Sequence, residues 1–299
     1  RQQSLLFLNR RGYAPLTLCR SCGHRFECPQ CTAWLVEHRF RRRLNCHHCG
    51  FSLPIPEACP KCGEKGALVA CGPGVERVAE EVRERFPEAR VALLSSDLIP
   101  GLEEMRRIIV GIGGGGIGIP LLATVGIVDG DLGLSMGADP RAGERTFQLL
   151  HQVTGRAGRA LTKGRGYIQT HMPEHPVMQA IISGDRESFL EREIDMRRRG
   201  LLPPFGRLAA IVISARDRDL AETYAREVAR RAPRVAEIEV LGPAEAPIAV
   251  VRGRHRWRLL VKAPRDNNIL GYLWAWGEAL PKIGGDLRLT VDVDPYNFL

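Results

Sequence analysis

The feature that most constrains this chain of 299 residues is a set of four Cys-x-x-Cys pairs near its beginning. The pairs take up eight of the nine cysteines: Cys19/Cys22, Cys28/Cys31, Cys46/Cys49 and Cys59/Cys62. Two thiolates at this spacing can bind one metal ion, because the turn between them brings both sulfurs to about 2.3 Å from zinc. A glycine, which adopts the left-handed turn conformation readily, follows three of the four pairs directly. The pattern predicts two structural zinc ions, each held by four thiolates.

Disulfide formation, redox chemistry, zinc transfer and zinc catalysis each fit the cysteine pairs less well than structural zinc. Disulfides are disfavoured because repeated Cys-x-x-Cys spacing in a chain that otherwise looks intracellular favours metal. A redox pair is normally single, and a zinc chaperone usually has a second glycine where this chain has Arg25, Ser52 and Lys65. Four thiolates leave no open position for a catalytic zinc. The ninth cysteine, Cys71, is interpreted as a buried thiol at a strand end.

Spacing alone does not decide which cysteine pairs share a metal. Residues Thr32–Leu44 predict a β-hairpin, which would place Cys28/Cys31 beside Cys46/Cys49 on one zinc. The outer pairs, Cys19/Cys22 and Cys59/Cys62, would then share the other zinc. The hairpin also carries an aromatic and basic set that either contacts DNA or forms the solvated face of a small ribbon: Trp34, Arg39, Phe40, Arg41, Arg42 and Arg43.

The segments around the cysteines alternate between strand and helix patterns, which predicts a parallel α/β layer with the cysteine region inserted near its start. The predicted strands are Ser4–Asn9, Leu68–Cys71, Val91–Leu94 and Thr124–Val128. The predicted helices are Val75–Phe86 and Arg141–Val153, the second capped by Asp139.

A glycine and arginine motif, Gln152–Arg159, follows the second of these helices. Arg156 and Arg159 lie three residues apart beside glycines that allow close backbone approach, which suits a phosphate clamp. Such a turn can also be a plain surface loop. Together with the α/β layer, the motif is interpreted as the arginine motif of a helicase lobe, in which both arginines reach the γ-phosphate of ATP.

The C-terminal part begins with an amphipathic helix that Asp185 caps and that ends near Arg199. A strand-helix-strand-strand-helix-strand pattern over residues 208–293 then predicts a ferredoxin-like domain. Its basic turn offers Arg252, Arg254, Arg256 and Trp257 to single-stranded or forked DNA. Alternatively, Trp257 faces the core and the arginines are only solvated. The aromatic residues Tyr272, Trp274 and Trp276 are assigned to core and interface packing.

The net charge of +9 permits a nucleic-acid partner but does not require one. Two zinc sites with four thiolates each lower it to about +5. No apolar run approaches the roughly 20 residues that span a bilayer, and the first residues do not resemble a signal peptide. We therefore expect a cytoplasmic location and no membrane partner. The start at Arg1, without Met, suggests a piece of a longer protein.

Seven motifs together resemble the PriA (primosomal protein N′) family of superfamily-2 DNA helicases, which restart stalled replication forks. In chain order they are Ser4–Pro15, the four cysteine pairs, Cys71–Val78, Val128–Gly133, Gln152–Arg159, Leu202–Gly206 and Val293–Phe298. The resemblance implies a RecA-like second helicase lobe (residues 1–18 and 67–184), a two-zinc insertion (19–66) and a C-terminal DNA-binding domain (185–299).

The resemblance also implies how these parts work. Gln152 and Gly155 would contact the nucleotide beside Arg156 and Arg159. The chain would bind stalled or D-loop forks and initiate primosome assembly. Its partners would be forked or single-stranded DNA, the replication-restart primosome proteins and single-stranded DNA-binding protein.

Two departures from the family bear on enzyme activity. The sequence has no G-x-x-x-x-G-K-S/T loop and no acidic box for magnesium, so ATP and Mg²⁺ would bind only together with a first helicase lobe. Residues Ile108–Pro120 lack the family's Gly-Thr-Gln…Lys-Gly motif. Within them, Gly113–Gly116 could be taken for a phosphate loop but have neither Lys nor Ser/Thr, so they are interpreted as a flexible or damaged connector. We therefore expect this chain alone to be inactive. The alternative function is a non-catalytic zinc-ribbon DNA-binding or scaffold protein derived from the helicase.

Overall fold

The computed structural model describes residues 3–9, 16–39, 42–72, 74–94, 108–111, 122–134, 139–158 and 164–296. By its contacts the chain divides into two compact units. The first consists of residues 1–27, 34–137 and 141–186, and the second of residues 28–33, 138–140 and 187–299. Within the described residues, no helix has both the length and the apolar character needed to cross a membrane.

The described residues of the first unit form ten β-strands, three α-helices and a short 3-10 helix at Gly130–Gly133. In chain order its elements are β1 (Gln3–Phe7), β2 (Leu16–Cys19), β3 (Val36–His38), β4 (Arg43–Asn45), β5 (Ser52–Pro54), β6 (Leu68–Cys71), α1 (Val75–Arg85), β7 (Val91–Leu94), β8 (Ile108–Gly111), β9 (Leu122–Ile127), α2 (Ala142–Thr154), β10 (Arg165–Ile168) and α3 (Pro176–Ser183).

Five parallel strands form the main sheet of this unit, in the order β10-β9-β1-β8-β7. One side of α1 packs on the sheet, because Val75 and Ala79 lie one helical turn apart and are completely buried with Leu8. The observed bounds of α1 and β7 agree with the sequence prediction to within one residue. The predicted parallel α/β layer is thus present in the described residues.

Only the first four residues of the segment Ile108–Pro120 are described. They form strand β8, which lies between β1 and β7 and pairs with both. These residues are therefore part of the main sheet, whereas the interpretation of Gly113–Gly116 as a connector stays a prediction. Residues 112–120, with the four consecutive glycines, lie outside the described residues.

Two small antiparallel sheets belong to the cysteine region. Strands β2 and β6 form one sheet, and β3, β4 and β5 form the other. The predicted hairpin is present as β3 and β4, with Val36 opposite Asn45 and His38 opposite Arg43. The strand predicted at Leu68–Cys71 is present as β6 with the same bounds, but the expectation that it is buried is wrong, since it is half-buried and pairs with β2.

Helix α2 shows the expected amphipathic spacing but not the expected cap. Its buried residues, Phe147, Leu150 and Val153, recur every three residues and face the interior. The N-cap is Arg141, and no side chain makes a capping hydrogen bond there, so the predicted cap by Asp139 is wrong. The helix starts at Ala142, one residue later than predicted. Asp139 could be the N-cap only of a helix that starts at residue 140.

The second unit contains α4 (Arg186–Arg199), β11 (Gly206–Ala215), α5 (Arg218–Arg230), β12 (Glu239–Val251), β13 (Arg254–Pro264), α6 (Ile269–Ala279) and β14 (Arg288–Val293). Four antiparallel strands form its sheet in the order β12-β13-β11-β14. The side chains of Asp217 and Asn268 cap α5 and α6 by accepting N–H bonds from Leu220 and Gly271.

Strand β12 occupies a region where the sequence predicts two short strands, at residues 238–241 and 248–251. It is one strand whose pairing with β13 is interrupted between Leu241 and Ala244 and again between Glu245 and Val250. Gly242 and Pro243 lie in the first interruption, where glycine has a positive φ of 100° and proline has no N–H to donate. Local sequence therefore indicated a break, although the chain continues in the same direction.

The core of the second unit lies between the sheet and helices α5 and α6. Ile213, Leu259 and Trp276 are almost completely buried there, and the indole Nε1 of Trp276 donates to the carbonyl oxygen of Val228 at 3.0 Å. Tyr272 packs edge-on against Trp276, as the packing assignment expected. Trp274, in contrast, is 74% exposed and is not part of this core.

Candidate zinc centres and nucleic-acid interface

The structure brings the eight paired cysteines together as two clusters of four, and in each cluster the sulfur atoms all lie within 4.8 Å of one another. Zinc site 1 is Cys19, Cys22, Cys59 and Cys62; zinc site 2 is Cys28, Cys31, Cys46 and Cys49. This is the nested grouping that the predicted hairpin implies. Cys71 lies outside both clusters, half-buried at the end of β6.

The sulfur positions suit zinc. In site 1 the Sγ atoms of Cys19 and Cys62 are 3.7 Å apart, as are those of Cys22 and Cys59. A tetrahedral zinc ion with bonds of about 2.3 Å places its ligands about 3.8 Å from each other. Disulfide sulfurs would lie only about 2.05 Å apart. The distances and the all-thiolate donor set therefore fit two structural zinc ions.

The same local turn builds three of the cysteine pairs. The residue after the second cysteine is glycine with a positive φ, 70° at Gly23, 80° at Gly50 and 76° at Gly63. Each of these glycines donates its N–H to the carbonyl oxygen of the first cysteine of its pair, at 2.8–3.0 Å. The left-handed conformation that glycine permits thus closes the turn on which both thiolates are displayed.

Backbone N–H groups point at three sulfurs of zinc site 2, each at a nitrogen-to-sulfur distance of 3.4 Å. The N–H of Gln30 points at Cys28, and the N–H of Phe51 at Cys49; both come from the cysteine region itself. The third donor is the N–H of Arg252, which points at Cys31 from a position 221 residues further along the chain. Such bonds offset the negative charge that four thiolates leave around one Zn²⁺.

Two thiols of zinc site 1 have shifted pKa values. Burial opposes ionisation of Cys59, but backbone N–H groups of Cys62 and Lys61 outweigh it and lower the pKa of Cys59 to about 7. The backbone N–H of Glu64 acts in the same sense on Cys62, yet burial and the neighbouring thiols raise the pKa of Cys62 to about 12. A metal ion binds these cysteines as thiolates, so metal binding at this site releases protons.

The aromatic and basic set of the hairpin is partly exposed. Trp34 is 39% exposed, and the guanidinium of Arg25 lies 5.4 Å from the centre of its ring, within the range of a cation–π contact. Arg42 is exposed and has a positive φ of 50°. Phe40 and Arg41 lie outside the described residues.

Two of the hairpin arginines contact other side chains of the first unit. Arg39 forms an ion pair of 2.7 Å with Glu80, and its backbone N–H donates to Glu76. The guanidinium of Arg43 donates to the hydroxyl of Ser52 at 2.6 Å. Arg39 and Arg43 are exposed like Arg42 and Trp34, but these contacts use part of the hydrogen-bonding capacity of their guanidinium groups.

The arginine motif lies at the end of α2. Gln152 and Gly155 are exposed and Arg156 is half-buried. The motif is anchored to the main sheet, because the N–H of Gly158 donates to the carbonyl oxygen of Leu122, the first residue of β9, at 2.9 Å. The structure therefore places three of the four predicted nucleotide-site residues on one turn. Arg159 lies outside the described residues.

The basic segment of the second unit is a tight turn followed by a strand, rather than one long turn. Arg252 and Gly253 form the turn, and β13 starts at Arg254. Arg254 is only 13% exposed and forms an ion pair of 2.5 Å with Asp286 as well as a hydrogen bond of 2.9 Å to the carbonyl oxygen of Ser214. Much of its hydrogen-bonding capacity is therefore used inside the unit.

Alternation along β13 separates Trp257 from the arginines beside it. Trp257 packs against the hydrophobic core, on the same side as the buried residues Leu259 and Val261. Arg256 and Arg258 therefore lie on the opposite face of the sheet, about 7 Å apart along the strand. Sequence reasoning missed Arg258 as a member of this face, although the alternation of basic and apolar residues from position 254 to 261 already indicated it.

Burial acts on these two arginines. It lowers the pKa of Arg256, and it lowers the pKa of Arg258, to which the nearby charge of Arg256 also contributes. Guanidinium pKa values start so far above neutrality that both groups stay charged. Two half-buried positive charges on one face are stabilised by an anion, and a phosphate matches the guanidinium geometry.

The parallel sheet, the two four-cysteine clusters and the antiparallel C-terminal sheet define an α/β protein with two candidate zinc sites. Residues 28–54 match the family model of the PriA DNA helicase Cys-rich region (CRR) domain, and residues 198–296 match that of the primosomal protein N C-terminal domain. Both matches are to domains of PriA proteins, and the chain is similar to the C-terminal part of that family's members.

Proteins that are similar to this chain over nearly all of its length support the two family-model matches. Replication restart protein PriA of Rickettsia felis is 41% identical over 311 residues, which cover 100% of this chain and 48% of the relative. The proteins of the same name from Haemophilus influenzae and Bacillus subtilis are 35% and 33% identical over 98% and 99% of this chain, and 42% and 38% of their own length. The chain thus spans about half the length, or less, of these relatives.

Proposed function

We propose that this chain supplies the second helicase lobe, the two-zinc insertion and the C-terminal DNA-binding domain of an ATP-dependent DNA helicase that acts in replication restart. The observation that carries the proposal is the nested pair of four-cysteine clusters in a chain with a parallel sheet and a match to the PriA family along its whole length. The proposed domains are residues 1–18 with 67–184, 19–66 and 185–299.

The sheet topologies support the finer fold assignments within this proposal. Five parallel strands with α1 and α2 are what a RecA-like lobe requires. The strand-helix-strand-strand-helix-strand order of the second unit, with sheet order β12-β13-β11-β14, matches a ferredoxin-like domain. We propose both folds for the corresponding parts of the chain.

The arginine motif would act on ATP bound to another lobe. In the proposal Arg156 and Arg159 stabilise the charge of the γ-phosphate during transfer, and Gln152 and Gly155 contact the nucleotide. The loop that binds the phosphates and the carboxylates that hold Mg²⁺ would come from a first helicase lobe, because this sequence contains neither motif.

DNA would bind to the basic surfaces. Half-buried Arg256 and Arg258, on the face of β13 opposite the core, and the exposed side chain of Arg252 at the turn form the C-terminal surface; Arg42 and Trp34 form the surface on the cysteine region. Phosphate contacts by arginine and stacking on an exposed aromatic side chain suit single-stranded or forked DNA. Primosome proteins and single-stranded DNA-binding protein are proposed as partners on the family relationship alone.

Salt-dependent binding tests the DNA proposal. Affinity of the zinc-loaded chain for a fluorescent fork would be measured by anisotropy over a range of salt concentrations. For the double variant Arg256→Gln/Arg258→Gln, we expect the slope of log affinity against log salt to fall by about 1.4, since each single-strand phosphate contact contributes about 0.7. The matched control is Arg226→Gln/Arg230→Gln, which removes two exposed charges of α5 and should leave the slope unchanged.

Two outcomes would contradict the DNA proposal. One is absence of measurable affinity of the chain even at low ionic strength. The other is equal slopes for the two double variants, which would show that only net charge matters. Thermal unfolding of both variants establishes that neither difference comes from loss of the fold.

ATP turnover separates the helicase from the scaffold alternative. DNA-stimulated turnover by the chain alone is expected to stay at background. Turnover should appear when the N-terminal remainder of a full-length relative is joined to the chain, and Arg156→Ala should abolish it while fork binding persists. Fork binding without turnover in the joined protein would favour the non-catalytic zinc-ribbon function.

A further inference from the structure

The turn between β12 and β13 has an unusual first residue. Val251 pairs with Arg254, so the loop consists of only Arg252 and Gly253. Their φ angles are 53° and 69°, which is the type I′ turn that two-residue hairpins prefer. Asparagine or glycine normally occupies the first position, because other side chains rarely adopt the left-handed conformation. An arginine held there indicates that surrounding contacts fix the turn.

Those contacts come from the second cysteine pair. In a type I′ hairpin the ladder hydrogen bonds use the residues that flank the loop, so the N–H groups of the two loop residues point away from it. Here the N–H of Gly253 donates to the carbonyl oxygen of Gln30 at 2.7 Å. The N–H of Arg252 donates to Sγ of Cys31 at 3.4 Å.

A second pair of hydrogen bonds extends this contact to Thr32 and Val250. The N–H of Thr32 donates to the carbonyl oxygen of Val250 at 3.0 Å, and the N–H of Val250 donates to the hydroxyl of Thr32 at 2.8 Å. Both segments, residues 28–33 and the hairpin end, belong to the second compact unit. Four hydrogen bonds therefore hold the cysteine turn against the end of the hairpin.

We infer that the Arg252–Gly253 turn is part of zinc site 2, where the backbone N–H of Arg252 orients the Cys31 thiolate and offsets its charge. Four thiolates around Zn²⁺ leave two excess negative charges, and N–H dipoles directed at the sulfurs reduce their repulsion. Gln30 and Phe51 do this for Cys28 and Cys49 from within the cysteine region.

Arg252 thereby acquires two separate roles. Its exposed guanidinium is the DNA contact proposed above, whereas its backbone N–H is a positioning group for a zinc ligand. The zinc role requires metal at site 2 but does not depend on helicase activity or on DNA binding. It also accounts for the left-handed conformation of a residue other than glycine at this turn.

Nuclear magnetic resonance of the full chain loaded with ¹¹³Cd tests the hydrogen bond directly. Scalar coupling passes from the metal through the sulfur and the hydrogen bond to the amide proton, so a ¹H–¹¹³Cd correlation identifies each donor. We expect cross-peaks from Gln30, Phe51 and Arg252 to one and the same ¹¹³Cd resonance. Cross-peaks from Gln30 and Phe51 without one from Arg252 would overturn the inference, because the first two show that such couplings are visible at this site.

Zinc release gives a second, independent measurement. Arg252→Asn keeps the N–H and tolerates the left-handed conformation, whereas β-branched Arg252→Val does not. In transfer of zinc from the full chain to a chromophoric chelator, we expect Arg252→Val to release one of the two zinc ions on the order of tenfold faster. Arg252→Asn should release it within about twofold of the unchanged chain, since its N–H still reaches the sulfur.

Zinc site 1 is the internal control of this experiment, because none of its four ligands lies in the cysteine turn that contacts the hairpin. Equal release rates for both variants and the unchanged chain would overturn the inference. Equal acceleration of both zinc ions by Arg252→Val would overturn it as well, because the substitution would then act through general loss of the fold. Fork affinity measured in parallel separates the two roles, since Arg252→Asn removes only the charge.

Discussion

The nested grouping of the cysteines makes a quantitative prediction for paired serine substitutions. In the structure Cys22 and Cys62 belong to zinc site 1, whereas Cys31 belongs to zinc site 2. The double variant Cys22→Ser/Cys62→Ser should therefore lose one zinc per chain and keep the other. The double variant Cys22→Ser/Cys31→Ser damages both sites and should lose both zinc ions.

The size of the effect follows from the ligand geometry. Sulfur separations of 3.7 Å satisfy all four bonds of a tetrahedral zinc ion, and a serine hydroxyl, which stays protonated near neutral pH, does not replace a thiolate. Structural zinc sites bind with about 10–16 kcal/mol. That exceeds the whole stability of many domains, about 5–15 kcal/mol, so the small sheets of the cysteine region should unfold locally where zinc is lost.

The assay is the zinc content per chain, measured by mass spectrometry after chelator treatment and gel filtration. Cys71→Ser is the matched control, because this cysteine lies in neither cluster and its variant should keep two zinc ions. If the pairs were grouped in chain order instead, Cys22→Ser/Cys62→Ser would lose both ions and Cys22→Ser/Cys31→Ser only one. That reversed result would refute the nested grouping.

Three further predictions concern stability and activity. Trp276→Ala should lower the free energy of unfolding by about 3–5 kcal/mol because it empties a buried site, whereas exposed Trp274→Ala should change it by less than about 0.5 kcal/mol; chemical denaturation measures both. The backbone N–H of Arg216, and next the guanidinium of Arg254, lower the pKa of Asp286. Because the pKa of Asp286 is lower in the folded chain than in the unfolded chain, its carboxylate stabilises the fold at pH values above the ordinary aspartate pKa. This stabilisation is lost as the pH falls through the pKa that Asp286 has in the folded chain. Asp286→Asn should therefore be less stable than the unchanged chain at pH 7, and the difference should shrink in acid; a constant difference would contradict this. The chain without a first lobe should show no DNA-stimulated ATP turnover, and steady turnover would refute that.

Much of the secondary structure was predictable because its determinants are local. Helix α1 and strand β7 follow directly from the spacing of their apolar residues. The errors lie where tertiary contacts decide. Residues 68–71 pair with β2 outside the main sheet, and residues 108–111, for which no strand is predicted from the sequence, lie between β1 and β7 in it. No local pattern shows which partner a short apolar strand will find.

The proposed DNA surface was also only partly predictable from the sequence. Alternation along β13 was available in the sequence, yet the dense arginines of this segment favoured a turn. Only strand pairing shows that Trp257 faces the core and that Arg254 is held by Asp286. The exposed members of the proposed DNA surface therefore depend on the tertiary structure.

By itself, the sequence determined that eight cysteines form four metal-binding turns, since two thiols at Cys-x-x-Cys spacing suffice to build such a turn and a glycine follows three of the four pairs. Which turns share a zinc ion was decided by the pairing of β3 with β4, as the hairpin pattern suggested. Only the tertiary structure decided that the N–H of Arg252 meets the sulfur of Cys31. Cys31 and Arg252 are 221 positions apart in the chain and come together through the packing of complete elements. Local sequence patterns do not predict such a contact.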